Sequence, residues 1–432
     1  MNERQHPFPS YRPRVVEADI QEALARRGAV LLEGVRWCGK TSTALRFADS
    51  VLRLDDPDAR TLAGADPTEA LRGGVPRLVD EWQNAPQLWN RIRRECDERA
   101  APGQFILTGS ASPREDITRH TGTGRIARVT MRPMSLFETG ASDGSTSLHQ
   151  LFDGDTIVKA ARSGVGLRDV ASWIGVGGWP AHIGLDEATA RRSARDHLRE
   201  SVLVDVRAAG GVRHDRDSLM ALARSVARNV ATEARTSKLV ADMVGPDHDD
   251  TDTVRVWRQT ATAYLAALQR IFLVEDQPAW PGHLRSRAAL RKTPKRHLVD
   301  PSLAAAALQA SPERLIADTR TLGLLFESLA VRDLRIYSQR EAASVYHYRD
   351  SDNLEVDAII VRDDGLWLAA EIRLSHHSNT VDQAANSLLR LRDKVTPQRQ
   401  QDLVGLLVIT ALGPAYRRPD GVQVVPVTTL GP

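Results

Sequence analysis

The sequence predicts an α/β chain of several domains: an N-terminal parallel sheet with helices on both faces, a helical middle, and a C-terminal α/β domain. Three observations predict this. GAVLLEG (Gly28 to Gly34) is a short apolar run suited to a buried parallel strand, and a glycine-containing turn and a helical pattern follow it directly. From Leu151 to Gln269 the apolar residues recur at helical spacing. Beyond Val345, five apolar runs broken by turn residues read as strands. At 432 residues the chain is too long for one ordinary core. The boundaries expected are 1–141 for the first domain, 148–210 for a helical lid, 215–300 for a second helical unit and 301–432 for the last domain.

Composition narrows the class. Hydrophobic content of 42% with 26% charged residues fits a soluble globular protein. No apolar run approaches the roughly 20 residues of a membrane helix, and the opening MNERQHPFPSYRPR has no apolar stretch of the kind a secretory signal needs. Two cysteines, Cys38 and Cys96, provide neither a disulfide framework nor zinc-ligand spacing. A cytoplasmic location is therefore expected. A net charge of +3 permits nucleic-acid binding without demanding it.

After the first strand comes GVRWCGKTSTALRFA, in which Gly34, Gly39, Lys40 and Thr41 satisfy G-x-x-x-x-G-K-T. In such a phosphate loop (P-loop) the glycines let backbone N–H groups curl round phosphates, the lysine reaches the β- and γ-phosphates, and the hydroxyl binds Mg²⁺. The following helix aims its positive end at the same anion. Cys38, inside the loop, and Ser42, directly after it, complete the expected nucleotide contacts. PRLVDEWQ (Pro76 to Gln83) supplies an acidic strand end: Asp80 to hold the Mg²⁺ shell, and Glu81 to polarise the attacking water. QFILTGSAS (Gln104 to Ser112) is a third strand, whose Thr108 or Ser110 either senses the γ-phosphate or simply caps the strand. Arg125, Arg128 and Arg132 are candidates for stabilising transition-state charge, in cis or across subunits, with Arg125 placed first. Asp55 and Asp56, after VLRL, either lie near the nucleotide edge or serve as turn residues, the turn role being the favoured one.

The strings LLEGVRWCGKTSTA, RLVDEWQNAPQLWN, GQFILTGSASP and GTGRIARVTMRPMSLFE together resemble the bacterial and archaeal AAA-type ATPases that carry a C-terminal DUF4143 domain. The matched blocks span Leu31 to Glu138. The resemblance implies a P-loop NTPase core with a catalytic-glutamate arrangement, ATP and Mg²⁺ as cofactors, Lys40 and Thr41 as loop residues, and Asp80 with Glu81 as the metal-and-water pair.

ASDGSTS (Ala141 to Ser147) reads as a polar linker. Within GASDG it also matches G-x-S-x-G, but a nucleophile elbow needs a buried strand before it and a helix after it, and neither is evident. Leu151 to Ala209 reads as a helical lid beside the nucleotide. Three helical segments from Arg216 to Ile271 followed by FLVEDQPAW resemble a winged helix, a module that serves nucleic-acid and protein docking alike. HLRSRAALRKTPKRH (His283 to His297) lies where a wing would be. Its Arg285, Arg287, Arg291, Lys292, Lys295 and Arg296 either grip phosphates or form a solvated basic loop.

The last part opens with an apolar helical pattern, Thr321 to Gln339, with Glu327 in its midst. The strands VYHYRD, LEVDAIIVR, LWLAAEIRL, LVGLLVIT and VQVVPVT follow, with a helix over Val381 to Leu391 between the third and fourth. This order resembles restriction-endonuclease-like cores, in which a helical Glu, an Asp on one strand and a Glu-x-Lys on the next converge on Mg²⁺. Period-two alternation puts Glu371 with Arg373 on one face and Glu355 with Asp357 on one face. Glu327, Asp357, Glu371 and Arg373 are thus candidates for a second, hard-cation site. Arg373 departs from the usual Lys: it cannot be deprotonated and its fork needs more room.

Three functions fit these residues. The first is an ATPase that uses hydrolysis to move its domains in a nucleic-acid or partner-protein transaction. The second is a nucleotide-gated, metal-dependent nuclease. The third is a nucleotide-dependent scaffold or regulator that keeps a degenerate nuclease fold.

Overall fold

The computed structural model describes residues 11–110, 122–155, 164–206, 215–244, 251–282 and 292–432. Five short strands build the first sheet: β1 (Ala29–Glu33), β2 (Ser50–Arg53), β3 (Arg77–Asp80), β4 (Phe105–Gly109) and β5 (Ile126–Thr130). All are parallel, in the order β2-β3-β4-β1-β5. The continuous apolar runs follow from burial on both faces. Val30, Leu32, Leu78 and Ile106 pack with Ile20 and Ala23 of helix Glu17–Arg26. Ala29, Leu31, Val79, Phe105 and Leu107 pack on the other side with Leu88, Trp89 and Ile92 of helix Leu88–Arg99. The order inserts β4 between β1 and β3, so all three end beside one another at the edge from which the P-loop emerges.

The segment read as a linker does more than connect. In it β6 (Thr146–Ser147) pairs in parallel with the last strand of the chain, β15 (Leu430–Gly431). Ser142 Oγ donates to the Leu430 carbonyl at 2.7 Å, which gives the serine of the elbow-like match a structural partner. Gly431 passes so close that a Cβ there would lie 2.7 Å from the Gly144 Cα.

The middle is helical. Helices Leu167–Val176 and Glu187–Glu200 lie over the P-loop edge, and helices Arg216–Arg228, Thr236–Val244 and Thr251–Arg270 follow. An antiparallel ribbon succeeds them, β7 (Val274–Gln277) with β8 (Lys295–Leu298), in which Gln277 faces Lys295 and Glu275 faces His297.

Helix Thr319–Arg340, started by the Asp318 side chain accepting from the Thr321 N–H at 3.1 Å, is buried on nearly every side. It packs on a six-stranded mixed sheet of β9 (Ala343–Arg349), β10 (Glu355–Arg362), β11 (Trp367–Arg373), β12 (Leu403–Thr410), β13 (Tyr416–Arg417) and β14 (Gln423–Pro426), ordered β13-β14-β12-β11-β10-β9. β9, β10 and β11 form an antiparallel meander, whereas β12 runs parallel to β11 after a crossover through helix Ser378–Lys394. The Asp-Asp-Gly turn between β10 and β11 needs its glycine, because Gly365 sits at φ 95°. Val381, Ala384, Ala385, Leu388 and Leu391 form the buried stripe of the crossover helix.

The parts share one interior: the apolar cluster containing Val30 and Leu32 of β1 continues through Trp179 and Leu222 to Ile360 and Leu407 of the second sheet. A buried polar joint accompanies it. Arg332 holds Asp300 and Asp333 at 2.7 Å each. Asp333 accepts from the Leu136 N–H at 3.0 Å, and Asp300 accepts from the Gly178 N–H at 3.0 Å. Among the described residues no helix is long and apolar enough to cross a membrane.

Candidate functional sites: a phosphate loop and a closed acidic centre

The P-loop leaves β1 at Gly34, where a Cβ would lie 2.0 Å from the Met131 carbonyl oxygen, and ends at Gly39, whose φ of 101° suits glycine. Lys40 opens helix Lys40–Ala44, is 5% exposed, and donates from Nζ to the Gly34 and Val35 carbonyls at 2.9 and 2.8 Å. Thr41 Oγ1 donates to Asp80 Oδ1 at 2.7 Å, and Thr108 Oγ1 donates to the same oxygen at 2.5 Å. Thr108 also accepts from the Glu81 N–H at 3.0 Å. That bond supports a strained residue, since Glu81 sits in the left-handed region at φ 54°. The Glu81 carboxylate is gripped by the Gln83 amide and lies 3.4 Å from the Ser110 hydroxyl. Thus Lys40, Thr41, Asp80, Glu81 and Thr108 come together from the ends of β1, β3 and β4. Their donor set, a hydroxyl beside a carboxylate at the mouth of a glycine-built cradle, fits Mg²⁺ carried with a nucleotide.

Over this edge lies a cavity of about 590 Å³. Lys40, Thr41, Ser42 and Glu81 line its floor, Arg36 and Trp37 one wall, and Pro180, Ala181, Ile183 and Ser193 its roof. Cys38 turns its thiol into the core, while its carbonyl accepts from Arg14 at 2.8 Å. Sequence reasoning missed Arg14, which also binds the Arg132 carbonyl at 2.7 Å and Glu138 at 2.9 Å and so fixes the loop's outer turn. Sequence reasoning also missed the aromatic link to the lid. Trp37, 41% exposed and at φ 68°, stacks on His197 at 4.9 Å, and His197 meets the edge of Trp179 at 4.3 Å. Burial pushes the His197 imidazole down to about 4, so it is neutral at pH 7.

The arginine candidates are placed elsewhere. Arg125 immediately precedes β5, and its carbonyl accepts from the Ala29 N–H at the start of β1, the end of the sheet opposite the P-loop. Its guanidinium pairs with Asp97 at 2.8 Å. It therefore does not reach the phosphate edge of its own chain, because parallel strands gather their site at their carboxyl ends. Arg128 pairs with Glu33 at 3.0 Å, and Arg132 with Glu275 at 3.0 Å. Asp56 caps helix Pro57–Ala65, as a turn residue would.

The C-terminal candidates do converge, but around a group assigned to another surface. Lys295 was expected in an exposed basic loop. It lies instead in β8, 1% exposed, with Nζ at 2.7 Å from Glu327, 2.9 Å from Glu355 and 3.2 Å from Asp357. Strand alternation explains the change. Lys295 and His297 share one face of the ribbon, on which His297 contacts Ser328 of helix Thr319–Arg340 at 3.1 Å and Gln277 of β7 at 3.0 Å. Arg296 points the other way, is also buried, and holds the Ala234 carbonyl at 2.5 Å. Lys292 donates to the Arg349 carbonyl. Arg285, Arg287 and Arg291 lie outside the described residues.

Arg373 completes the centre. Its guanidinium meets Asp357 Oδ2 at 2.8 Å and also grips Glu371. Asp357 Oδ2 additionally accepts from the Ile372 N–H at 3.0 Å. Burial opposes ionisation of Asp357, but Lys295 and Arg373 overcome it and hold its carboxyl down at about 2. Burial and the nearby Asp357 push Glu327 up to about 8, and the same two causes push Glu371 well above the usual range. A hard divalent cation does not fit this donor set: both Asp357 oxygens are taken by cationic donors. Among the described residues no group of three potential ligands is assembled for a metal. The expected metal site at Asp357 and Glu371, with Glu327 and Arg373, is thus corrected to a closed ion-pair network.

A family model described as an AAA domain matches residues 26–140. Models described as domains of unknown function match residues 167–314 (DUF8612) and 322–430 (DUF4143). Uncharacterized proteins of Mycobacterium tuberculosis (strain H37Rv) and Mycobacterium bovis are each 32% identical over 136 residues. That stretch is 30% of this chain and 30% of each relative, so the match spans less than a third of the curated relatives' length. Among solved structures, the Walker-type ATPase of Pyrococcus abyssi is 12% identical, with 68% of this chain and 94% of that chain covered and a TM-score of 0.41. A structure titled as a DNA replication initiation factor is 13% identical over 60% of this chain and 92% of that chain, with a TM-score of 0.26.

Proposed function

The chain joins an AAA domain of P-loop type to a C-terminal DUF4143 domain, and from that premise we propose that it binds ATP with Mg²⁺ and hydrolyses it to ADP and phosphate. The single observation that carries this reading is the hydrogen-bonded set Thr41–Asp80–Thr108–Glu81 beside Lys40, under one cavity. Lys40 leaves its backbone partners for the β- and γ-phosphates. Thr41 and Asp80 hold the metal, which when bound neutralises charge on the phosphate oxygens. Glu81, steadied by Gln83 and Ser110, orients and polarises the attacking water. The roof residues Pro180, Ala181, Ile183 and Ser193 close on the nucleotide, and the Trp37–His197 stack carries loop movement to the lid. The motion serves a transaction with a nucleic acid or a partner protein.

The test is ATP turnover and nucleotide binding by the full chain and by Lys40→Ala. Loss of both supports the reading. A variant that retains full binding and turnover overturns it.

The charge-closed C-terminal centre favours a second reading, in which nucleotide state sets the conformation of a regulator whose nuclease-like fold does not cleave. End-labelled DNA and RNA incubated with Mg²⁺ or Mn²⁺, with and without ATP, then remain intact. Cuts that disappear in Asp357→Ala would restore the nucleotide-gated nuclease instead.

A further inference from the structure

We infer that Lys295 is the resident cation of the C-terminal acidic centre, occupying the place of a hard divalent ion, and that such an ion enters only when this ammonium is removed. Lys295 Nζ lies within 3.2 Å of oxygens of three acidic side chains, those of Glu327, Glu355 and Asp357, and donates hydrogen bonds to Glu327 and Asp357. The second oxygen of Asp357 is held by Arg373 at 2.8 Å and by the Ile372 N–H at 3.0 Å. A bound Mg²⁺ demands about six oxygens at roughly 2.0–2.1 Å. It cannot share Asp357 with two cationic side chains at hydrogen-bond distance.

The lysine is also held in place from its own side. Gln277, directly across the ribbon from Lys295, donates its amide to the Asp357 carbonyl at 2.8 Å. His297, two residues on and on the same face, is anchored to Ser328 of helix Thr319–Arg340. The ribbon is thus fastened to the helix that carries Glu327 and to the strand that carries Asp357, and its lysine is built into the centre.

The experiment titrates Mn²⁺ into nucleotide-free, full-length protein and follows the free-ion signal by electron paramagnetic resonance. Wild-type protein is expected to take up no Mn²⁺ that Asp357→Asn abolishes. Lys295→Met is expected to gain a single Mn²⁺ per chain, and Lys295→Met combined with Asp357→Asn to lose it again. Should Lys295→Met fail to fold, Lys295→Met with Glu327→Gln, which removes one of the bereaved carboxylates, is read in its place. Wild-type uptake that disappears in Asp357→Asn overturns the inference, and so does a folded Lys295 variant that takes up none.

Discussion

The two centres of this molecule use nearly the same residues and end in opposite conditions. Each sets a lysine and acidic side chains at the ends of strands. In the P-loop centre the partners are neutral: Lys40 binds backbone carbonyls, and Asp80 binds two hydroxyls. In the C-terminal centre the partners are opposite charges: Lys295 and Arg373 bind carboxylates directly. Hydrogen bonds between a charged group and a neutral partner contribute about 1.5–3 kcal/mol each, and they leave the charge itself uncancelled for a ligand of opposite sign. A buried ion pair is far costlier to break, because the group left behind keeps its charge without a partner. A constellation of residue types does not by itself make a site. What decides is whether the charges are left for a ligand or satisfied within the chain.

The largest expected effect tests the open side. Glu81→Gln keeps the shape and the contact to Gln83 but removes the base, and is expected to lower ATP turnover roughly 10³-fold, about 4 kcal/mol, with nucleotide binding kept. Steady-state turnover beside a binding isotherm checks this. Unchanged turnover would remove Glu81 from its role and make the two centres more alike than they look.

The next effect tests the closed side. Lys295→Ala leaves Glu327, Glu355 and Asp357 without their shared cation, and is expected to destabilise the chain by about 3 kcal/mol in denaturant unfolding. A shift of only a few tenths would mean that the pairs are loose and the centre is not closed.

A smaller effect concerns the link between loop and lid. Removing the Trp37 ring forfeits its stack on His197, a contact type that contributes about 1 kcal/mol, so Trp37→Ala is expected to raise the ATP half-saturation concentration roughly fivefold. Trp37→Phe retains most of the stack and is expected to recover most of the affinity. A loss of turnover with half-saturation unchanged would place Trp37 in the chemistry rather than in the link.

How much of this could be read in the sequence follows from distance along the chain. The P-loop is a contiguous string next to its strand, and Asp80 and Glu81 end another, so the meeting of Lys40, Thr41, Asp80, Glu81 and Thr108 was legible, whereas Arg14 and the Trp37–His197 stack, which join distant segments, were not. The same rule of strand direction, applied one step further, would have moved Arg125 away from the phosphates, because a residue that precedes a parallel strand lies at the far edge. Lys295 was illegible for a different reason. Its partners Glu327 and Asp357 are 32 and 62 residues away, and Lys-Arg-His reads as a solvated loop. The available signal was the antiparallel match of KRHLV to FLVEDQ, with Lys295 and His297 two apart and thus on one face. Helix Thr319–Arg340 and the meander were legible from periodicity alone, as was the helix Ser378–Lys394 stripe.

The smallest prediction separates charge from shape inside the closed centre. Burial first, and then Asp357, push Glu327 from the usual 4.5 up to about 8, despite the opposing pull of Lys295. The folded chain therefore holds a proton that the unfolded chain releases above about 4.5. The stability this group contributes is complete below that pH and is lost progressively as pH rises towards about 8. Asp357 moves the other way: its contribution is complete above about 3.8 and is lost only as pH falls towards about 2, outside the window of interest. Glu327→Gln keeps an oxygen for Lys295 and cannot titrate. Measured by denaturant unfolding at about pH 5 and at about pH 8, the stability of the variant relative to wild type is expected to rise with pH. A constant difference for Glu327→Gln would mean that Glu327 is already ionised in the folded chain across this interval, so that Lys295 and not burial sets its state.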